Sequence, residues 1–105
     1  MPQKSRRQQI EELLADDPND PFLRYGLAME YVSAGEDQSA LARFEELFAM
    51  APEYVPAYLQ AGQALVRLGE TGKARDMFTR GIAVARRQGE QHAAEEMQGF
   101  LTGLG

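Results

Sequence analysis

The sequence predicts an all-α protein built from stacked helical hairpins. Three observations carry that expectation. The chain matches itself at an offset of 34 residues. Its apolar residues recur at helical spacing, and prolines and glycines divide it into short helical segments. No segment alternates apolar and polar residues over a strand's length with β-branched content, so no strand is expected.

The segments follow in order. Residues 4–15 carry Ile10, Leu13 and Leu14. Pro18 and Pro21 bracket the break after them, because a proline disfavours helix in the residue before it. A helix over 21–33 places Leu23, Leu27 and Tyr31 four apart. Gly35 stops it, and Glu36 and Asp37 suit the positive start of the next helix. That helix, 37–50, sets Leu41, Phe44, Leu47 and Phe48 on one stripe. Pro52 and Pro56 bracket the next break. Residues 55–67 carry Tyr58, Leu59, Ala61, Ala64 and Leu65. Gly69 repeats the Gly35 stop, and Thr71 is expected to cap a helix over 71–87. Gly89 marks the last break, before a helix over 90–102 with Ala93, Ala94, Met97, Phe100 and Leu101. Each helix is too short to be stable alone in water, so burial of shared faces must hold them.

The repeat has a physical logic. At the 34-residue offset Gly35 meets Gly69, Glu36 meets Glu70, Ala40 meets Ala74 and Phe44 meets Phe78. Ala28 meets Gly62, Tyr31 meets Leu65, and Pro18 meets Pro52. Small residues at 28/62 and 40/74 let helix backbones approach, and large ones beside them fill the gaps.

Composition excludes several function classes. With 105 residues the chain makes one domain, taken as 1–105. There is no cysteine, which removes disulfides, thiolate metal ligands and cysteine nucleophiles. The net charge is −5, with −6 over residues 1–53 and +1 over 54–105. An acidic chain repels polyphosphate, so no nucleic-acid partner is expected. No apolar run approaches the roughly 20 residues that cross a bilayer, so no membrane partner is expected. Lys4, Arg6 and Arg7 have no apolar stretch behind them, so no signal peptide is read and the expected location is cytoplasmic.

Catalysis finds little support. His92 with Glu95 and Glu96 has the spacing to hold a divalent ion, but a third ligand would have to be Glu90 or Asp76. The simpler reading is a solvated helix face, and neither metal nor cofactor is expected. Neighbouring carboxylates such as Glu11–Glu12 and Glu45–Glu46 diverge by about 100° on a helix, as solvent-facing charge does. Ser5, Ser33 and Ser39 lack a base placed by motif, and Gly62, Gly69 and Gly72 form no phosphate loop. The chain is therefore read as not an enzyme. Lys73, Arg75, Arg80, Arg86 and Arg87 are read as a solvated outer face.

The residues Leu27, Ala28, Tyr31, Gly35, Ala40, Phe44 and Pro52 in one repeat, and Tyr58, Gly62, Leu65, Gly69, Ala74 and Phe78 in the next, resemble the tetratricopeptide repeat (TPR) family. The resemblance implies a TPR-type α-solenoid with full helix–turn–helix repeats at 21–54 and 55–88. An N-terminal half repeat over 4–17 and a capping helix over 90–103 would flank them. The pattern departs from the family at Arg24, Leu47 and Arg86, where an aromatic, a small residue and a proline belong. The chain also resembles small free-standing bacterial proteins of this type.

In that family the first helix of each pair lines a concave groove. The resemblance then assigns Phe22, Tyr25, Met29 and Val32 to the groove from the first repeat. From the second it assigns Pro56, Leu59, Gln60, Gln63, Val66 and Arg67, and from the capping helix Met97 and Phe100. Such a surface is apolar enough to mark an interaction site. A TPR subgroup clamps the acidic tails of chaperones with lysine, asparagine and arginine, but the matching places here are the neutral Tyr25, Met29 and Gln60. The expected partner is an apolar or amphipathic peptide segment of another protein, held in the groove. The alternative is a homo-oligomer that buries the groove or the capping helix.

Overall fold

The computed structural model describes residues 3–105; positions 1 and 2 of the expected domain lie outside the described residues. The described residues form the helices α1 (Arg6–Asp16), α2 (Pro21–Ser33), α3 (Asp37–Met50), α4 (Val55–Arg67), α5 (Thr71–Arg87) and α6 (Gln91–Gly103), and no strand. The bounds of α2 to α5 agree with the expected ones residue for residue. The end helices shift slightly. α1 starts at Arg6 because Ser5 and Gln8 close a reciprocal cap: the Gln8 N–H donates to Ser5 Oγ at 3.1 Å, and the Ser5 N–H to Gln8 Oε1 at 2.9 Å. α6 sits one residue later than expected.

Two kinds of punctuation set the helix ends. α2, α4 and α5 each end on a glycine with positive φ: Gly35 at 75°, Gly69 at 77° and Gly89 at 73°. At each, the next residue's N–H donates back to a carbonyl five residues earlier: Glu36 to Tyr31 at 2.9 Å, Glu70 to Leu65 at 2.9 Å and Glu90 to Ala85 at 2.8 Å. That glutamate is also the N-cap of the following helix, so the turn is as tight as the chain permits. The cap of α5 therefore falls on Glu70, not on Thr71 as expected; Thr71 is already helical. The second kind of stop uses proline. α1 and α3 end just before Asp17–Pro18 and Ala51–Pro52. The corresponding place in α5 is Arg86, and α5 runs to 17 residues where α3 has 14.

The helices gather into two compact units, one ending at Pro52 and the other starting at Glu53. In the first, α2 packs between α1 and α3. Ile10, Leu14 and Leu27 form a buried cluster with Leu23 and Tyr31 against it. Ala28 and Ala40 are fully buried, and Phe44 sits in its own buried place with Tyr25 tilted at 50° and 6.3 Å from it. Arg7 ties α1 to this body. Its guanidinium lies 4.1 Å from the centre of the Tyr31 ring and donates to Glu36 at 2.6 Å. That hydrogen bond to Glu36 holds the Arg7 guanidinium above its ordinary pKa.

In the second unit α4 and α6 both pack on α5, and α4 also touches α6. Ala57, Ala61 and Ala64 of α4 and Ala74 and Ala85 of α5 are fully buried, which keeps the backbones close. The ring of Phe78 lies on Gly62 so closely that a Cβ there would overlap it. A Cβ on Gly81 would come within 2.5 Å of Met97 Sδ and 2.6 Å of Tyr58 Cβ. These two glycines are the gaps into which the large side chains fit.

Candidate functional site

The first unit carries an apolar recess of about 400 Å³ between α1 and α2. Phe22, Tyr25 and Met29 line it from α2 and Ile10 and Leu13 from α1, with Arg6 and Glu30 at the rim. Arg6 Nε and a Glu30 carboxylate oxygen are 3.1 Å apart, so the rim at that end is a closed ion pair. At the other end Leu13 is 54% exposed and Phe22 is 72% exposed. Local sequence explains the placement. Ile10 and Leu14 face α2, which turns Leu13 off the buried stripe. Asp20 caps α2, accepting from the N–H groups of Phe22 at 2.9 Å and Leu23 at 3.2 Å, and so holds Phe22 at the first turn.

Charge around this unit is one-sided. Lys4, Arg6, Arg7, Arg24 and Arg43 are each engaged by a glutamate at 2.6–3.1 Å. Exposed pairs of this kind stabilise by about 0–1 kcal/mol each, but they consume the unit's cations. Asp16 and Asp17, which close α1 one turn after Leu13, are exposed and have no ion pair among the described residues.

In the second unit Gln63, Val66, Arg67 and Phe100 surround a shallower hollow of about 260 Å³. Phe100 stacks on Phe78 at 5.6 Å with the rings 10° from parallel. In the first unit the ring beside Phe44 is Tyr25; the matching position here is Leu59, and α6 supplies the aromatic instead.

The other expected site residues fall in several places. Val32 is half-buried and lies outside the apolar recess. Pro56 is exposed, and Leu59 and Gln60 are half-buried. Met97 is fully buried behind Gly81, so it is core and not a lining residue as expected. The reason is the missing side chain at 81, which opens a place that α6 fills. Leu13, Ile10, Gln9 and Arg6 were not anticipated as lining; α1 reads in sequence only as a packing helix. His92, Glu95 and Glu96 are exposed on α6, and no three metal-ligating side chains gather among the described residues. No helix of the described residues is long and apolar enough to cross a membrane.

Comparison with known proteins agrees with this construction. The tetratricopeptide repeat family model matches residues 31–97. A TPR repeat-containing protein of Pseudomonas aeruginosa is 30% identical over 95 residues, 90% of each chain. The solution structure of a tetratricopeptide repeat domain protein from Salinibacter ruber is similar, with a TM-score of 0.78, 40% identity, and coverage of 83% of this chain and 88% of that one. A solution structure of a protein from Bordetella parapertussis has a TM-score of 0.87 at 26% identity, covering 97% of this chain and 89% of the other. The chain thus belongs to the tetratricopeptide repeat family, whose all-α, solenoid-type fold generally serves protein–protein interaction.

Proposed function

We propose that the chain is an interaction module whose first unit holds an apolar or amphipathic segment of another protein in the recess between α1 and α2. The observation that carries this reading is the α1–α2 recess, where Leu13 and Phe22 expose large apolar surface beside a cavity of side-chain size. Met29 suits an adaptable site because its thioether side chain is flexible, and Tyr25 offers a rigid aromatic anchor. Gln63, Val66, Arg67 and Phe100 give the second unit a smaller surface of the same kind. Each cation of the first unit is engaged by a glutamate among the described residues, which does not suit that unit to an acidic tail.

The test is a displayed library of random peptides panned against the wild type and against Phe22→Glu. The expected result is enrichment of peptides with a one-sided apolar pattern that the variant does not retain. Enrichment indifferent to Phe22→Glu, Tyr25→Ala and Leu59→Glu removes these surfaces as the site.

A second reading is self-association. Val66, Leu68 and Phe100 of the second unit are 38–40% exposed, which favours a surface that a second copy could cover. A monomer by light scattering at low micromolar concentration rejects it.

A further inference from the structure

Resting on the interaction role proposed above, we infer that the segment held by the first unit's recess is basic as well as amphipathic, with arginine or lysine directly beyond its apolar face. The recess has two unlike ends. At one, Arg6 and Glu30 neutralise each other at 3.1 Å. At the other, Leu13 and Phe22 stand next to the turn that carries Asp16, Asp17 and Asp20. Asp20 is engaged in capping α2, but Asp16 and Asp17 make no side-chain hydrogen bond or ion pair among the described residues.

Their position is costly to the fold. A helix C-terminus carries partial negative charge, which cations stabilise and carboxylates oppose. α1 ends on two carboxylates and has no basic residue in its last turn. Arg24 reaches this turn, donating from Nε to the Pro18 carbonyl at 2.8 Å, but its ion pair is with Glu46, and the unit's other cations are each paired with a glutamate, so none pairs with Asp16 or Asp17 among the described residues. A ligand cation beside Asp16 and Asp17 would relieve this repulsion, while its apolar neighbours cover Leu13 and Phe22. The basic strip of α5 in another copy is a poor occupant. The apolar face of α5, including Met77, Phe78 and Ile82, is already buried in its own unit, so its cations come without an anchor.

The experiment compares two synthetic amphipathic helices with the same leucine and phenylalanine face, one ending in lysines and one in glutamates. Binding to the full chain is followed by fluorescence anisotropy, with the wild type, Leu13→Glu, and the double variant Asp16→Asn/Asp17→Asn. The lysine-ended peptide should bind the wild type about fivefold to tenfold more tightly than the glutamate-ended one, a preference that added salt shrinks. The double variant should lose that preference yet keep the apolar binding, and Leu13→Glu should lose binding of both. Equal affinity for the two peptides, or a preference that survives in the double variant, overturns the inference and leaves the interaction role standing. Binding of neither peptide, or of both without sensitivity to Leu13→Glu, overturns the inference and the proposed site together. A dimer in sedimentation that Leu13→Glu dissolves assigns the recess to a second copy and also overturns it.

Discussion

Asp17 and Ala51 hold the same backbone conformation, φ −140° and ψ 74° in one and φ −139° and ψ 72° in the other. They stand 34 residues apart, each closes a helix, and a proline follows each. The proline disfavours helical geometry in the residue before it and has no N–H to continue the ladder. The repeat is thus kept in backbone angles as well as in residue sizes. It lapses at Arg86, where α5 continues to Arg87 and a glycine turn replaces the proline stop.

Arg86→Pro should therefore be damaging although the residue is exposed. It would drive Ala85, which is fully buried, out of helical geometry and delete a helical hydrogen bond. A loss of about 3 kcal/mol is expected, read from urea unfolding, with Arg86→Ala within about 0.5 kcal/mol of the wild type. Equal midpoints for all three contradict the role assigned to the proline stop.

Glycine substitutions should split by sign. Gly62→Ala and Gly81→Ala would force a Cβ into Phe78 in one case and into Met97 and Tyr58 in the other, and should lower stability by about 1–3 kcal/mol. Gly99, inside α6, has nothing within 4 Å of a Cβ. Gly99→Ala should raise stability by about 0.5–1 kcal/mol through the better helix former. Thermal unfolding of the three variants side by side checks the ordering.

Asp16→Asn/Asp17→Asn should make the free protein more stable by about 0.3–1 kcal/mol, because two carboxylates leave a helix C-terminus. The same change should weaken capture of a basic peptide. Opposite movement of stability and binding is the signature of charge kept for a ligand; parallel movement marks these residues as structural.

Leu13→Glu and Phe22→Glu should leave the far-ultraviolet helical signal unchanged and alter stability by no more than about 0.5 kcal/mol, since both side chains are mainly exposed. Circular dichroism during urea unfolding measures this. A large loss would show that the recess is packing rather than binding surface.

Most of the architecture was legible because glycine and proline act locally. Gly35, Gly69, Gly89, Pro18 and Pro52 set helix ends without help from distant residues, and the bounds of α2 to α5 follow from them. The start of α1 was written as Ser5 with Gln8, a cap signature that the apolar pattern alone passes over. The site was less legible because it depends on which side of a helix meets its neighbour. Ile10, Leu13 and Leu14 look alike in sequence, yet only Leu13 is left exposed. Met97 looks like a lining residue until Gly81 is seen opposite it. α6 departs from the 34-residue register, so its pairing with α5 had no repeat to copy.

The central claim is that the first unit's α1–α2 recess holds a segment of another polypeptide. Amide chemical shifts of the labelled full chain, titrated with the lysine-ended amphipathic peptide, test it most directly. The account predicts saturable shifts concentrated at Leu13, Phe22, Tyr25, Gly26 and Met29, absent in Leu13→Glu. Shifts confined to α5 or scattered over the acidic surface, or none at saturating peptide, would contradict it.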